Sequence, residues 1–223
     1  MKLSSALIPA FLAPLLVACV VSVGSSSCQH TIVGSGTEVS EARGLPEFSQ
    51  IEVGGAAHVV ASIGAETAVV VTCDDNLVEY VLTEVRGDTL KVSMQSGSYQ
   101  FETRLLVTVV SPELVGARVS GAGDLDLSGV DTDHFEARTS GAGSLRVIGR
   151  ADEIEAQSSG AGSMDLSQLT ARTAEVRVSG AGNVAVNARE SLSARASGAG
   201  SVRFAGAPAV EANVSGAGSV KRE

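Results

Sequence analysis

The side chains able to do chemistry in this 223-residue chain are few and scattered. His30, His58 and His134 stand far apart, and none lies at ligand spacing from a cysteine or from another histidine. No Gly-x-Ser-x-Gly elbow and no phosphate-binding loop occurs. Asp124, Asp126, Asp131, Asp133 and Glu136 crowd one stretch where a single cation is conceivable, but a solvated acidic loop is the simpler reading. A calcium β-roll needs Asp in successive turns, whereas the later equivalents of Asp124 are Ser144, Ser163, Asn183, Ser201 and Ser219. Arg86-Gly87-Asp88 matches an integrin-binding tripeptide, yet Gly-Asp between Val85 and Leu90 is equally the chemistry of a tight turn. The residues therefore point to no catalytic group, no metal and no cofactor.

Cys19 is the exception. An apolar run from Leu7 to Val17 follows Lys2 and ends in Leu16-Val17-Ala18-Cys19. A basic start, a short apolar segment and a small-residue exit make a secretory signal. The run is shorter than the about 20 residues of a membrane-crossing helix. Leu-Val-Ala-Cys resembles the lipobox of bacterial lipoproteins, which implies cleavage before Cys19 and attachment of a diacylglyceryl group to its thiol. Acyl chains at about 0.8 kcal/mol per buried methylene would hold the chain on a membrane. Val20, not Asp, follows the cysteine, which resembles the default for sorting to the outer membrane. The expected organisation is a signal at 1–18, a flexible Ser/Gly-rich tether at 19–41, and a folded domain at 42–223. Cys28, in that tether, is a candidate partner for Cys73, although Cys73 reads more simply as a small buried hydrophobe.

Composition narrows the partners. With 16 basic and 25 acidic residues the net charge is −9, which argues against nucleic acid. Aromatic residues are 3% of the chain and tryptophan is absent, so no stacking platform for bases or sugar rings is available.

The elements that must position everything else are set by a repeat. Ser-Gly-Ala-Gly begins at Ser120, Ser140, Ser159, Ser179, Ser197 and Ser215, in steps of 20, 19, 20, 18 and 18 residues. A fixed period this short is the signature of a solenoid. The flanks alternate: Phe135, Ala137 and Thr139 share one parity with Leu145 and Val147, as Val176 and Val178 do with Val184 and Val186. Period-two alternation predicts strands with one buried face. Each repeat should then supply two short strands meeting at Gly-Ala-Gly and a loop to the next. Stacked about 4.8 Å apart, six coils make a rod about 29 Å long. Crossover handedness makes the expected fold an all-β, right-handed parallel β-helix, with regular coils over about 113–220.

The repeat glycines are Gly121, Gly123, Gly141, Gly143, Gly160, Gly162, Gly180, Gly182, Gly198, Gly200, Gly216 and Gly218. A corner in so short a coil needs either a positive φ or a close backbone approach, and both favour glycine. Outward columns follow from the same register. Arg118, Arg138, Gln157, Arg177, Arg195 and Asn213 form one, beside Gly116, Glu136, Glu155, Glu175, Ser193 and Glu211. An arginine stripe next to a glutamate stripe offsets the repulsion of stacked like charges. Such ladders read as a binding face or as a solvated, aggregation-resistant wall. The alanines Ala122, Ala142, Ala161, Ala181, Ala199 and Ala217 form a flat docking strip if they point outward, and core if they point inward.

Residues 42–110 repeat less clearly. Ile51–Val59 aligns with Val176–Val184 as a degenerate coil. Strands near Ala68–Cys73 and Arg104–Val110, a short turn segment at Asp74–Tyr80, and the larger side chains Phe48, Tyr80, Tyr99 and Phe101 predict a cap on the N-terminal end of the rod.

Taken together, the lipobox, Glu47–Val53, Glu84–Leu90 and the serial Ser-Gly-Ala-Gly copies resemble the head GIN domain family, labelled autotransporter adhesins and common among bacterial envelope lipoproteins. The resemblance spans nearly all of residues 42–223. It implies a β-helical fold and an envelope location, with no catalytic residues to carry over. The expected function is a non-enzymatic envelope lipoprotein that presents a rigid β-helix for adhesion or protein contact. The alternative is a polysaccharide-processing β-helical enzyme, which would need clustered acids or bases on one sheet. An ice- or mineral-binding solenoid would need a threonine array, and Thr139 stands alone in its column.

Overall fold

The computed structural model describes residues 31–223; Cys19, Cys28 and His30 lie outside the described residues. The alternating flanks form strands, and the strands wind into a parallel β-solenoid. Its N-terminal part holds β1 (Thr31–Val33), β2 (Glu38–Arg43), β3 (Gln50–Val53), β4 (His58–Ile63) and β5 (Ala68–Asp74). After a 3-10 turn at Val78–Tyr80 come β6 (Val81–Arg86), β7 (Thr89–Met94), β8 (Ser98–Gln100) and β9 (Leu106–Ser111). The regular part holds β10 (Gly116–Val119), β11 (Asp124–Thr139), β12 (Ser144–Ser158), β13 (Ser163–Gly180), β14 (Asn183–Gly198), β15 (Ser201–Ala205), β16 (Ala209–Gly216) and β17 (Ser219–Arg222).

Each Ser-Gly-Ala-Gly corner joins two faces. On the face before the corner, β3, β10, the C-terminal halves of β11 to β14, and β16 stack in parallel register. Ile51, Ala117, Ala137, Ala156 and Val176 form one column of that stack, so the degenerate coil aligns as the sequence has it. On the face after the corner, β4, the N-terminal halves of β11 to β14, β15 and β17 do the same.

The inward parity fills the space between the faces. Leu125, Leu145, Met164, Val184 and Val202 stack from one side, and Phe135, Ile154, Ala174 and Leu192 from the other; all are buried. Burying each large aliphatic or aromatic side chain contributes about 1.5–3 kcal/mol. The stack continues without a break from coil to coil, which gives the rod its stiffness.

The corners are held by backbone. Ala142 N donates to Gly121 O at 3.0 Å, Ala161 N to Gly141 O at 3.0 Å, and Ala181 N to Gly160 O at 3.1 Å. Close approach is the main reason for glycine here. A Cβ at Gly160 would be driven into the carbonyl oxygen of Gly141 and lie 3.0 Å from its carbonyl carbon. Positive φ adds to this only toward the C-terminal end, at Gly198 (111°) and Gly216 (105°).

Two expectations change. The return segments are not loops: β11 to β14 run unbroken for 15 to 18 residues, because return residues also pair coil to coil, as in Asp131 with Arg150 and Thr132 with Ala151. Bulges, such as the one between Ser128 and Val130 with Gly129 at φ 83°, absorb the bend. The Ser/Gly-rich tether, drawn through residue 41, is folded from Thr31 onward. There β1 pairs β8 and β2 pairs β5, so Val39 lies opposite Cys73.

The N-terminal end is also out of chain order. The level made by β3 and β4 lies between β10 and β11 on one side and β7 and β9 on the other. Below it, β6 pairs β7 and β5 pairs β9, both antiparallel, with β2 added outside β5. Antiparallel strands end the parallel stack, and the buried Leu77 and Val81 with the Tyr80–Tyr99 pair (ring centroids 5.2 Å apart) lie in this cap.

A buried carboxylate fastens the first residues to it. Asp74 accepts hydrogen bonds from Gly36 N at 2.8 Å, Glu102 N at 3.1 Å and Thr103 N at 3.1 Å. Burial pushes its carboxyl up, but these amides together outweigh burial and hold it below the ordinary carboxylate value. Asn76 completes the clasp, donating to Val33 O and accepting from Ser35 N, each at 2.9 Å.

Candidate functional site

The arginine column borders a hollow. A groove of about 590 Å³ runs along the rod axis across the levels of Arg118, Arg138, Gln157, Arg177, Arg195 and Asn213. Its other side carries the corner serines Ser140, Ser159, Ser179, Ser197 and Ser215. Arginines and serines alternate with inward residues on the same strands, so both project outward, two residues apart.

The groove's edge follows from how the arginines are paired. Arg138 bonds Glu136, and Arg177 reaches Glu155 at 3.1 Å and Glu175 at 2.6 Å. Arg195 bonds Glu175 at 2.9 Å, and Arg118 lies 4.0 Å from Glu52. Glu136, Glu155 and Glu175 sit in the column on the far side of the arginines from the serines, while Glu52 lies in the arginine column itself, one level below Arg118. Each guanidinium thus leans away from the corner, leaving its aliphatic stem as a wall. The result is a groove with a positive stripe at its edge and a negative stripe beyond.

The remaining candidates are dispersed by the fold. Asp124 and Asp126 lie on the face after the corner, Asp131 and Asp133 on the return, and Glu136 on the face before the corner. Among the described residues no group of three or more metal-ligating side chains forms. His58 lies 3.5 Å from Asp126 and His134 3.5 Å from Glu153, and neither lines the groove. On the face after the corner, Asp165 would be raised by burial, but the Ser167 hydroxyl at 2.6 Å, the Ser167 amide and Arg146 keep it low.

Arg86-Gly87-Asp88 forms the turn between β6 and β7, with Gly87 at φ 64°, and Arg86 bonds Glu84 at 2.9 Å. Thr139 faces inward and is buried, so it presents nothing to a surface lattice. Cys73 is buried too, and burial, with Asp74 adding, pushes its thiol up to about 11. All six corner alanines, Ala122 to Ala217, are exposed and point outward. The repeat glycines lie in register beneath one another, with Gly143 against Gly123 and Gly162 against Gly143. The sequence located the arginine and serine columns. It did not show the hollow between them, which depends on the lean of the arginines toward the glutamates.

A parallel β-solenoid with a capped N-terminal end and an outer groove along its axis defines the class of protein. The family model described as "Putative auto-transporter adhesin, head GIN domain" matches residues 47–208, and the chain belongs to that family. No curated protein matches it. Among solved structures, a putative adhesin from Bacteroides fragilis is similar at 21% identity and TM-score 0.69, covering 86% of this chain and 100% of that one. A putative adhesin from Parabacteroides merdae is similar at 18% identity and TM-score 0.58, covering 86% and 99%. A putative lipid binding protein from Parabacteroides distasonis is similar at 22% identity and TM-score 0.55, covering 87% and 100%. At these identities the likeness is one of fold. Among the described residues no helix is long and apolar enough to cross a membrane.

Proposed function

We propose that this chain is a non-enzymatic lipoprotein of the bacterial cell envelope. It is anchored in the outer membrane through lipid on Cys19 and holds a rigid β-helix toward an adhesive or protein partner. The observation that carries the reading is the axial groove, which offers fixed guanidinium and hydroxyl donors over successive coils. Binding, not turnover, suits its chemistry. The groove has no histidine to activate its serines, and Glu155 and Glu175 are both tied to Arg177 rather than left as an acid–base pair. Membership of an adhesin-labelled family supports the envelope location, and Leu-Val-Ala-Cys19 supports the anchor.

The test has two parts. Cells fed labelled palmitate should incorporate it into the parent protein and not into Cys19→Ala, with the parent in the outer-membrane fraction. Cells lacking the protein should adhere less to host-cell or glycan-coated surfaces, and the parent gene should restore them. Unlabelled parent protein refutes the anchor; unchanged adhesion refutes the adhesive role.

A further inference from the structure

We propose that the groove beside the arginine ladder binds an extended acidic polysaccharide laid along the rod axis, its carboxylates on Arg118, Arg138, Arg177 and Arg195. The proposal rests on the adhesive reading above and names the ligand of that same face. Three features select it.

The first is direction. The groove crosses the strands instead of following them, so its occupant contacts one level after another at about 4.8 Å per level. Arg118 and Arg138 are register partners, as are Arg177 and Arg195, with Gln157 between the two pairs. A peptide could not add as a strand in this direction. Its repeat of about 3.3–3.6 Å per residue also falls out of step with the ladder. A chain of pyranose rings has a longer unit than a peptide residue and carries one acidic group per uronate.

The second feature is the supply of donors. A guanidinium has five N–H groups, and Arg195 spends only Nη1 on Glu175. The serines opposite are donors and acceptors suited to sugar hydroxyls. The third is charge: Glu136, Glu155 and Glu175 stand two residues, or ~6.6 Å along the strand, farther from the corner than the arginines they pair, so at those levels the guanidiniums are the charges nearest the groove. The groove has no aromatic ring on which a neutral sugar would stack.

The experiment uses the full-length protein in mild detergent, with polygalacturonate oligomers as the probe and dextran and poly-glutamate as comparators, read by calorimetry. The parent should bind polygalacturonate, weaken as salt rises, and ignore dextran. Arg138→Gln with Arg177→Gln should weaken binding by about tenfold or more, since each removes a charge-assisted hydrogen bond. Gln157 already occupies this column, and a thermal melt establishes that the variant is folded. Glu136→Gln should tighten binding. No binding to polygalacturonate, equal binding by the double variant, or binding to poly-glutamate at least as tight overturns the proposal. Should the double variant restore adhesion to deletion cells as well as the parent does, the groove assignment falls while the adhesive role stands. If the parent gene itself restores nothing, it is the adhesive role that falls.

Discussion

Replacing Gly141 by alanine adds one methyl group to the rod at the place with least room for it. The new Cβ would be driven into the carbonyl oxygen of Gly121, 2.8 Å from its carbonyl carbon and 3.1 Å from its Cα. All three are backbone atoms, so no rotamer change relieves the clash. The same carbonyl accepts from Ala142 N at 3.0 Å and Gly143 N at 3.1 Å, and separating the coils stretches both bonds. Two backbone hydrogen bonds at about 1 kcal/mol each, plus about 1–3 kcal/mol of overpacking, give a cost near 3–5 kcal/mol. The reduced entropy of the unfolded chain returns about 0.4–1 kcal/mol. A net loss of about 2–4 kcal/mol lowers the melting temperature of a chain this size by roughly 5–15 °C.

Gly44→Ala is the matched control, because no atom lies within 4 Å of a Cβ there and its φ is not positive. Circular dichroism melts of the two variants against the parent read the difference directly. Gly44→Ala should melt within about 2 °C of the parent or slightly above it. If Gly141→Ala also melts within about 2 °C of the parent, close backbone packing is not the reason for glycine at the corners.

Phe135→Ala should cost about 3–5 kcal/mol in denaturant unfolding, as the removed ring is fully buried. Glu175→Gln, which removes one ion pair each from Arg177 and Arg195 at a half-exposed site, should cost less than about 1 kcal/mol in the same assay. Asp74 has a folded pKa held below its unfolded one, so its stabilisation is complete above about pH 4 and drains away as pH falls through the lowered value. Hydrogen exchange should accordingly show β1 and residues 102–103 opening first in acid, and Asp74→Asn should flatten that dependence. The Cys73 thiol, pushed up to about 11 and buried, should resist an aromatic disulfide reagent at pH 8 after mild reductant, then react once the chain is unfolded.

How far the sequence disclosed this molecule depends on the range of the constraint. Corner glycines and alternating flanks answer to local sterics and to burial of one strand face, so the columns from Ile51 to Val176 could be read without coordinates. The placement of β3 between β7 and β10, and of β4 between β9 and β11, could not be read. Ile51–Val59 carries the same pattern as every other coil, and nothing in a repeating pattern says which level a copy occupies. The return segments, expected as loops, are strands, and the repeat step varies from 18 to 20 residues. The uneven length is taken up by bulges while coil-to-coil pairing continues. Residues 31–41 have the composition of a tether, yet β1 and most of β2 form there because cap strands offer them open edges and Asp74 offers a buried acceptor.

The outer ladders can be weighed by asking whether neutrality alone explains them. A wall built only to avoid stacked like charges would lose its arginine wherever it loses its glutamate. The two columns do not track each other in that way. Arg118 and Arg195 persist at levels where the glutamate column holds Gly116 and Ser193, and they turn instead to Glu52 and Glu175 on neighbouring levels. At the level of Glu155 the arginine is replaced by Gln157, which donates to Glu155, and Arg177 reaches across to the same carboxylate. From Arg118 to Asn213, the levels that line the groove, the column therefore keeps a donor side chain, and it turns acidic only below them, at Glu52. Cross-level pairing satisfies the charges after the fact. A continuous row of donors is what a chain lying in the groove would require.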